Sequence, residues 1–234
     1  MNIAGLQKMT LLDFPGKVAC TVFLAGCNFR CPFCHNSELL GGNGEAVMTD
    51  AELLAFLKKR QGILEGVCIT GGEPTLQKEL PDLLRRIKEL GYPVKLDTNG
   101  YRPQVLRALV EEGLVDYVAM DVKNGPDTYA ETVGIPLEMS RIEQSLLFLL
   151  ENKVPYELRT TVVHPLHSAA SIQDMAQWLE KLQGKSRFRK LFLQSFVDQD
   201  TVLFGGLESP GDEKLEEYRE ILKNLAETVQ IRGK

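Results

Sequence analysis

The chain has 234 residues, 44% of them hydrophobic and 25% charged, which is enough to bury one substantial core in a single domain. A formal net charge of -5, with lysines and arginines scattered along the chain, lacks the basic patch of a dedicated nucleic-acid binder. The opening MNIAGLQKMTLLDFPGK carries no apolar targeting segment and no later stretch approaches the length of a membrane span, so a cytoplasmic protein with no membrane and no nucleic-acid partner is expected.

Taken in chain order, short β-rich apolar runs alternate with stretches of helical period. Strands are predicted at 18–24, 67–70, 94–97, 117–122, 157–163 and 191–196. Helices are predicted between them at 51–60, 80–90, 103–112, 141–151 and 172–182, and a charged helix follows at about 212–229. Such alternation predicts parallel strands with helical crossovers, an α/β fold of six strand–helix units. Thr49, Asp50 and Glu52 read as a helix N-terminus, Gly91 and Gly113 as C-terminal glycines, and Pro155 as the approach to a strand. The apolar spacing of Leu80, Leu83, Leu84, Ile87 and Leu90 reads as core packing, and 212–223 as a solvated helix face.

One long irregular connection, 25–47, interrupts this pattern; it holds three of the five cysteines and the glycine-rich Gly41-Gly42-Asn43-Gly44. In a chain without an export signal, clustered cysteines point to metal binding or catalysis rather than to disulfides. Cys27, Cys31 and Cys34 follow directly on the first predicted strand, at the strand end where α/β active sites gather. Soft thiolates on one short loop suit an iron–sulfur cube, and three ligands for four irons leave one iron open for chemistry. The alternative is a zinc knot with His35, Cys20 or Cys68 as fourth ligand, but the spacing is not the usual paired C-x2-C. Cys20 and Cys68 lie in apolar runs and read as small buried hydrophobes.

Further candidates sit at the ends of later strands. Thr70-Gly71-Gly72-Glu73-Pro74 lets backbone approach a ligand closely and offers the Glu73 carboxylate to an ammonium. Asp97-Thr98-Asn99-Gly100 and Met120-Asp121-Val122-Lys123 place two carboxylates and a lysine at strand ends, where turn formers are also common. Arg159 lies among β-formers, where a buried charge needs an anionic partner. His164 and His167 receive no role.

The C-x3-C-x2-C spacing with Phe33 before the last cysteine resembles the signature of radical S-adenosylmethionine (SAM) enzymes. Asp13-Phe14-Pro15-Gly16, Phe23-Leu24-Ala25-Gly26 and Cys34-His35-Asn36 are similar to the glycyl-radical-enzyme activases, with the opening Leu11–Gly16 most like activators of anaerobic ribonucleoside-triphosphate reductase. Pyruvate formate-lyase activating enzyme is a near relative, although the histidine expected near the end of the sixth strand is not evident.

The resemblance implies a partial (β/α)6 TIM-type barrel with a C-terminal helix, core about 11–196 and helical extension about 197–234. It also implies a [4Fe-4S] cluster on Cys27, Cys31 and Cys34, and SAM contacts from Phe33, His35, Asn36, Gly71, Gly72, Glu73, Asp97, Thr98, Asp121, Lys123 and Arg159. A monovalent cation near the ligand carboxylate, a flavodoxin- or ferredoxin-type electron donor and a glycyl-radical enzyme partner complete the expectation. A radical enzyme acting on a small molecule and a non-catalytic zinc scaffold are the rival readings.

Overall fold

A computed structural model describes residues 1–42, 46–151 and 153–233; Asn43 and Gly44 of the glycine-rich run lie outside the described residues. The strands are β1 (Ile3–Thr10), β2 (Ala19–Leu24), β3 (Gly66–Gly71), β4 (Val94–Thr98), β5 (Tyr117–Asp121), β6 (Tyr156–Val162), β7 (Phe188–Ser195) and β8 (Ala226–Arg232). The helices are α1 (Asp50–Lys59), α2 (Leu80–Glu89), α3 (Pro103–Glu111), α4 (Pro126–Val133), α5 (Met139–Leu150), α6 (Ala169–Gln183) and α7 (Asp212–Leu222). Strand order in the sheet follows chain order from β1 to β8. The six expected strand–helix units run from β2 with α1 to β7 with α7.

Two compact units make up the chain: Met1–Asn28, Glu38–Ala119 and Lys153–Pro155 form the first, and Phe29–Ser37, Met120–Asn152 and Tyr156–Lys234 the second. In the first, β1 pairs antiparallel with β2, while β2, β3 and β4 are parallel neighbours. In the second, β6, β7 and β8 are parallel neighbours. Val67, Cys68 and Ile69 of β3 are wholly buried, as both-face coverage of parallel strands demands. The α2 stripe of Leu80, Leu83, Leu84 and Ile87 is buried as core. A capping box between Thr49 and Glu52 starts α1, and Gly91 and Gly113 take positive φ at the ends of α2 and α3. Among the described residues, no helix is long and apolar enough to cross a membrane.

Four elements depart from the sequence-based expectation. The charged C-terminal helix stops at Leu222, well short of 229, and Ala226–Arg232 forms β8 against β7. Its β-branched Thr228, Val229 and Ile231 suit a strand, and the open edge of β7 supplies backbone partners that a helix would forgo. Strand β1 escapes notice because its middle is only partly buried, so no apolar alternation marks it. Helix α4 is short, and the turn-forming Asn124-Gly125-Pro126-Asp127 masks its start.

Helix α4 matters to the cysteine loop. It ends at Gly134, with φ 70, and the backbone N–H of Arg30 donates to the Val133 carbonyl at 2.8 Å. A Cβ at Gly134 would overlap the Arg30 carbonyl oxygen. Gly134→Ala is therefore expected to destabilise the protein by roughly 1–3 kcal/mol, read as a lower denaturant midpoint. An unchanged midpoint would show that the loop does not depend on this approach.

Candidate functional site

In the first unit, β2 and β3 run in register from Ala19 opposite Gly66 to Leu24 opposite Gly71, so the two strands end level. Beyond that point the backbones stay joined: Gly72 N–H donates to Leu24 O and Glu73 N–H to Gly26 O, each at 2.8 Å. Gly71 has φ 124, and a Cβ there would overlap the Leu24 backbone; one at Gly72 would overlap Gly26 O and come within 3.2 Å of Cys27 Cβ. Side chains are excluded from this seam, which brings the Gly71-Gly72-Glu73 turn against the start of the cysteine loop.

Glu73 is only 1% exposed. Its Oε1 accepts from Thr75 N at 3.1 Å, from Thr75 Oγ1 and from Thr98 Oγ1 at 2.8 Å, and its Oε2 accepts from Asn99 N at 2.7 Å. Burial pushes the carboxyl above its usual range, while these hydrogen bonds act in the opposite direction. In this structure the carboxylate is turned inward and ties the ends of β3 and β4 together. Thr98 is thereby placed as well, and its Oγ1 also accepts from Gly100 N at 3.1 Å.

Asp97 is held by Lys95 Nζ, and approached by Thr70 Oγ1 at 3.4 Å and Cys68 Sγ at 3.7 Å. Lys95, 2% exposed, is a participant that sequence reading missed. A lysine in an apolar run was the available signal, because a buried ammonium needs a counter-charge. Asn99 was also missed: its Nδ2 donates to Asn28 Oδ1 at 2.9 Å.

In the second unit, Cys34 N donates to Cys31 O at 3.1 Å, closing a tight turn around Phe33. Lys123 Nζ lies 5.9 Å from the Phe33 ring centre, and the His167 ring meets Phe33 edge-on. His35 stacks on Phe196 with ring centres 5.5 Å apart and donates from Nε2 to Val197 O at 2.7 Å. Asn36 is half-buried. His167, 2% exposed, accepts from Val163 N at Nδ1 and donates from Nε2 to Lys123 O, and burial lowers its pKa. It is a structural residue, as is His164, whose backbone bridges Glu208.

Asp121 joins the charged residues of this unit. Its Oδ2 accepts from Lys123 Nζ and its Oδ1 from Arg159 Nε, both at 2.9 Å. The anionic partner that Arg159 requires is thus Asp121. Burial works to raise the Asp121 carboxyl, but Arg159 and Lys123 outweigh it and bring the value down to about 2. For Lys123, burial opposes and Asp121 favours the charged form, with a net rise.

Three features of the loop residues fit an iron–sulfur cluster. The Cys31 thiol, 8% exposed, is pushed up to about 11 by burial, with Lys123 opposing, so it needs a bound cation to become a thiolate. In the first unit, the Gly72 backbone packs directly against Gly26 and beside Cys27 Cβ, which fixes where Cys27 stands at the strand end. Asn28 Nδ2, one residue on, is buried without a hydrogen-bond partner among the described residues, a state that costs about 1–3 kcal/mol unless something accepts from it.

Two outcomes follow from these contacts. Glu73→Gln leaves the donors of Thr75, Thr98 and Asn99 facing an amide that accepts on one atom only, and should lower stability by roughly 1–3 kcal/mol. Denaturant unfolding of cluster-free protein measures this, and an unchanged midpoint would show that these hydrogen bonds add nothing to stability. Asp121 has a folded value of about 2, below its ordinary 3.8. Its contribution, on the order of 2 kcal/mol, is therefore present above pH 4 and lost as pH falls toward 2. Thermal melts of the cluster-free protein from pH 5 to 2 should show a shallower acid decline for Asp121→Asn than for the parent.

Comparison with known proteins places this geometry. The sequence profile of the Radical SAM superfamily matches residues 21–179. A Methanocaldococcus jannaschii protein named as a glycyl-radical enzyme activating enzyme is 32% identical over 98% of this chain and 95% of its own length. The pyruvate formate-lyase-activating enzyme of Clostridium pasteurianum is 34% identical over 54% of each chain. In fold, a domain of pyruvate-formate lyase-activating enzyme from Bacteroides vulgatus superposes with a TM-score of 0.58 at 22% identity, covering 72% of this chain and 99% of that one. With a family match across most of its length and a relative similar from end to end, the chain belongs to the radical SAM superfamily, among its glycyl-radical-enzyme activating members.

Proposed function

We propose that this protein activates anaerobic ribonucleoside-triphosphate reductase by generating its glycyl radical, acting in the cytoplasm as one radical SAM domain. Family membership implies a [4Fe-4S] cluster and SAM. The observation that carries the activase reading is the end-to-end similarity to the M. jannaschii protein. The opening Leu11-Leu12-Asp13-Phe14-Pro15-Gly16 supports the reductase as partner. When bound, the cluster supplies one electron to the sulfonium of SAM, releasing methionine and a carbon radical that takes a hydrogen atom from a glycine of the partner.

The chain's own residues bind and orient. Cys27, Cys31 and Cys34 are the cluster ligands, three thiolates that keep one metal position open for substrate. Gly71 and Gly72 offer bare backbone to the amino-acid end of SAM, and Glu73 and Thr98 hold that backbone still through their mutual hydrogen bond. Phe33, His35 and Asn36 belong to the nucleotide-facing side of the cysteine loop, with His35 braced by Phe196 and Val197.

Asp97 and Asp121 each already meet a protein cation, Lys95 in one case and Lys123 with Arg159 in the other. Lys123 and Arg159 therefore supply the positive charge for the ligand carboxylate that a monovalent cation would otherwise provide. A flavodoxin- or ferredoxin-type protein is the electron donor.

Anaerobically reconstituted protein given a strong reductant should cleave SAM to methionine and 5'-deoxyadenosine. Cys27→Ala, Cys31→Ala and Cys34→Ala should each abolish cleavage. Incubation with purified anaerobic ribonucleoside-triphosphate reductase should then produce a glycyl-radical signal in electron paramagnetic resonance. SAM cleavage with no such signal, or a signal on pyruvate formate-lyase instead, would overturn the choice of partner, and a colourless protein holding zinc would overturn the chemistry.

A further inference from the structure

The Asn28 side chain is secured at one end only, and the surrounding hydrogen bonds show which end. Asn99 Oδ1 accepts from the Tyr101 backbone N–H at 3.0 Å, so the group that Asn99 turns toward Asn28 is its NH2. That NH2 donates to Asn28 Oδ1 at 2.9 Å. Turning the Asn99 amide over would set its NH2 against the Tyr101 N–H, donor against donor, and the Asn99 backbone is itself anchored on Glu73 at 2.7 Å. Asn28 must therefore give its oxygen to Asn99, and Nδ2 is the terminus left over. It is this nitrogen that is buried with no partner among the described residues.

Buried donors in folded proteins are almost always satisfied. Asn28 directly follows Cys27, and Cys27 Cβ lies along the glycine seam, within 3.2 Å of where a Gly72 Cβ would stand. A donor that is fixed in orientation, desolvated and one residue from a thiolate ligand has sulfur as its natural acceptor. Hydrogen bonds to cluster sulfurs stabilise the more negative, reduced state and so raise the potential.

We infer that Asn28 Nδ2 donates a hydrogen bond to a sulfur of the iron–sulfur cluster at Cys27, with Asn99 and Glu73 as the positioning residues that aim it; this rests on the cluster proposed above. The chain Glu73, Asn99, Asn28 then links the turn after β3 to the electronic state of the cluster. Tuning the potential is a property separate from holding the metal, because Asn28 contributes no ligand.

The test is a redox titration of reconstituted protein without SAM, which removes the ligand carboxylate as a competing acceptor. Asn28→Leu keeps the volume but carries neither donor nor charge, and its midpoint should move to more negative potential at unchanged iron content. Asn99→Leu removes the anchor of the Asn28 amide while leaving all three cysteines in the sequence, and should shift the midpoint in the same direction at unchanged iron content. Reduced protein labelled with nitrogen-15 at asparagine should show a nitrogen hyperfine coupling in pulsed electron–nuclear double resonance that Asn99→Leu weakens. Full iron content with unmoved midpoints in both variants, or no asparagine coupling in the parent, overturns this inference and leaves the activase reading standing. Absence of iron from the parent protein defeats the activase reading itself.

Discussion

A backbone-to-backbone approach at the ends of β2 and β3 fixes the start of the cysteine loop in the first unit. Leu24 and Gly71 are paired in register, and the hydrogen bonds from Gly72 to Leu24 and from Glu73 to Gly26 continue that pairing past the strands. No side chain fits in the seam, so residues without a Cβ are obligatory there. Because strands β2 and β3 end level, the start of the cysteine loop and the Gly71-Gly72-Glu73 turn emerge side by side. Everything assigned to Cys27, Asn28 and Gly72 depends on that distance being short.

Glu73 converts proximity into rigidity. A carboxylate buried to this extent is tolerable only because donors from Thr75, Thr98 and Asn99 converge on it. Those donors come from two different strand ends, so one side chain holds both loops. The second unit uses charge for the same purpose, with Asp121 gripped by Lys123 and Arg159. Lys123 also faces the Phe33 ring of the cysteine loop. In both units the side chains closest to the proposed chemistry are fixed by partners within the protein, which suits a site whose reactive power belongs to cofactors.

Much of this was legible before any coordinates. The strand–helix alternation is carried by local pattern, and β2 to β7 with α1, α2, α3, α5 and α6 lie where the apolar periodicity puts them. Elements whose stability is not local were missed: β1 is a partly exposed antiparallel strand and β8 exists because β7 offers an edge. The cysteine spacing and the glycine pair are likewise written in sequence, since close ligation and bare backbone each demand particular residue types at adjacent positions.

What the sequence by itself determined, then, is which residue types are available and in what order along each strand end: three thiols on one loop, two glycines before a glutamate, an arginine in need of an anion. Only the tertiary structure decided how they pair. Folding placed Glu73 against Thr98 and Asn99, paired Asp97 with Lys95, and paired Asp121 with Lys123 and Arg159. The reason is that charge and hydrogen-bond partners are chosen by distance across strands, over sequence separations as large as that between Asp121 and Arg159, and no local pattern encodes such distances.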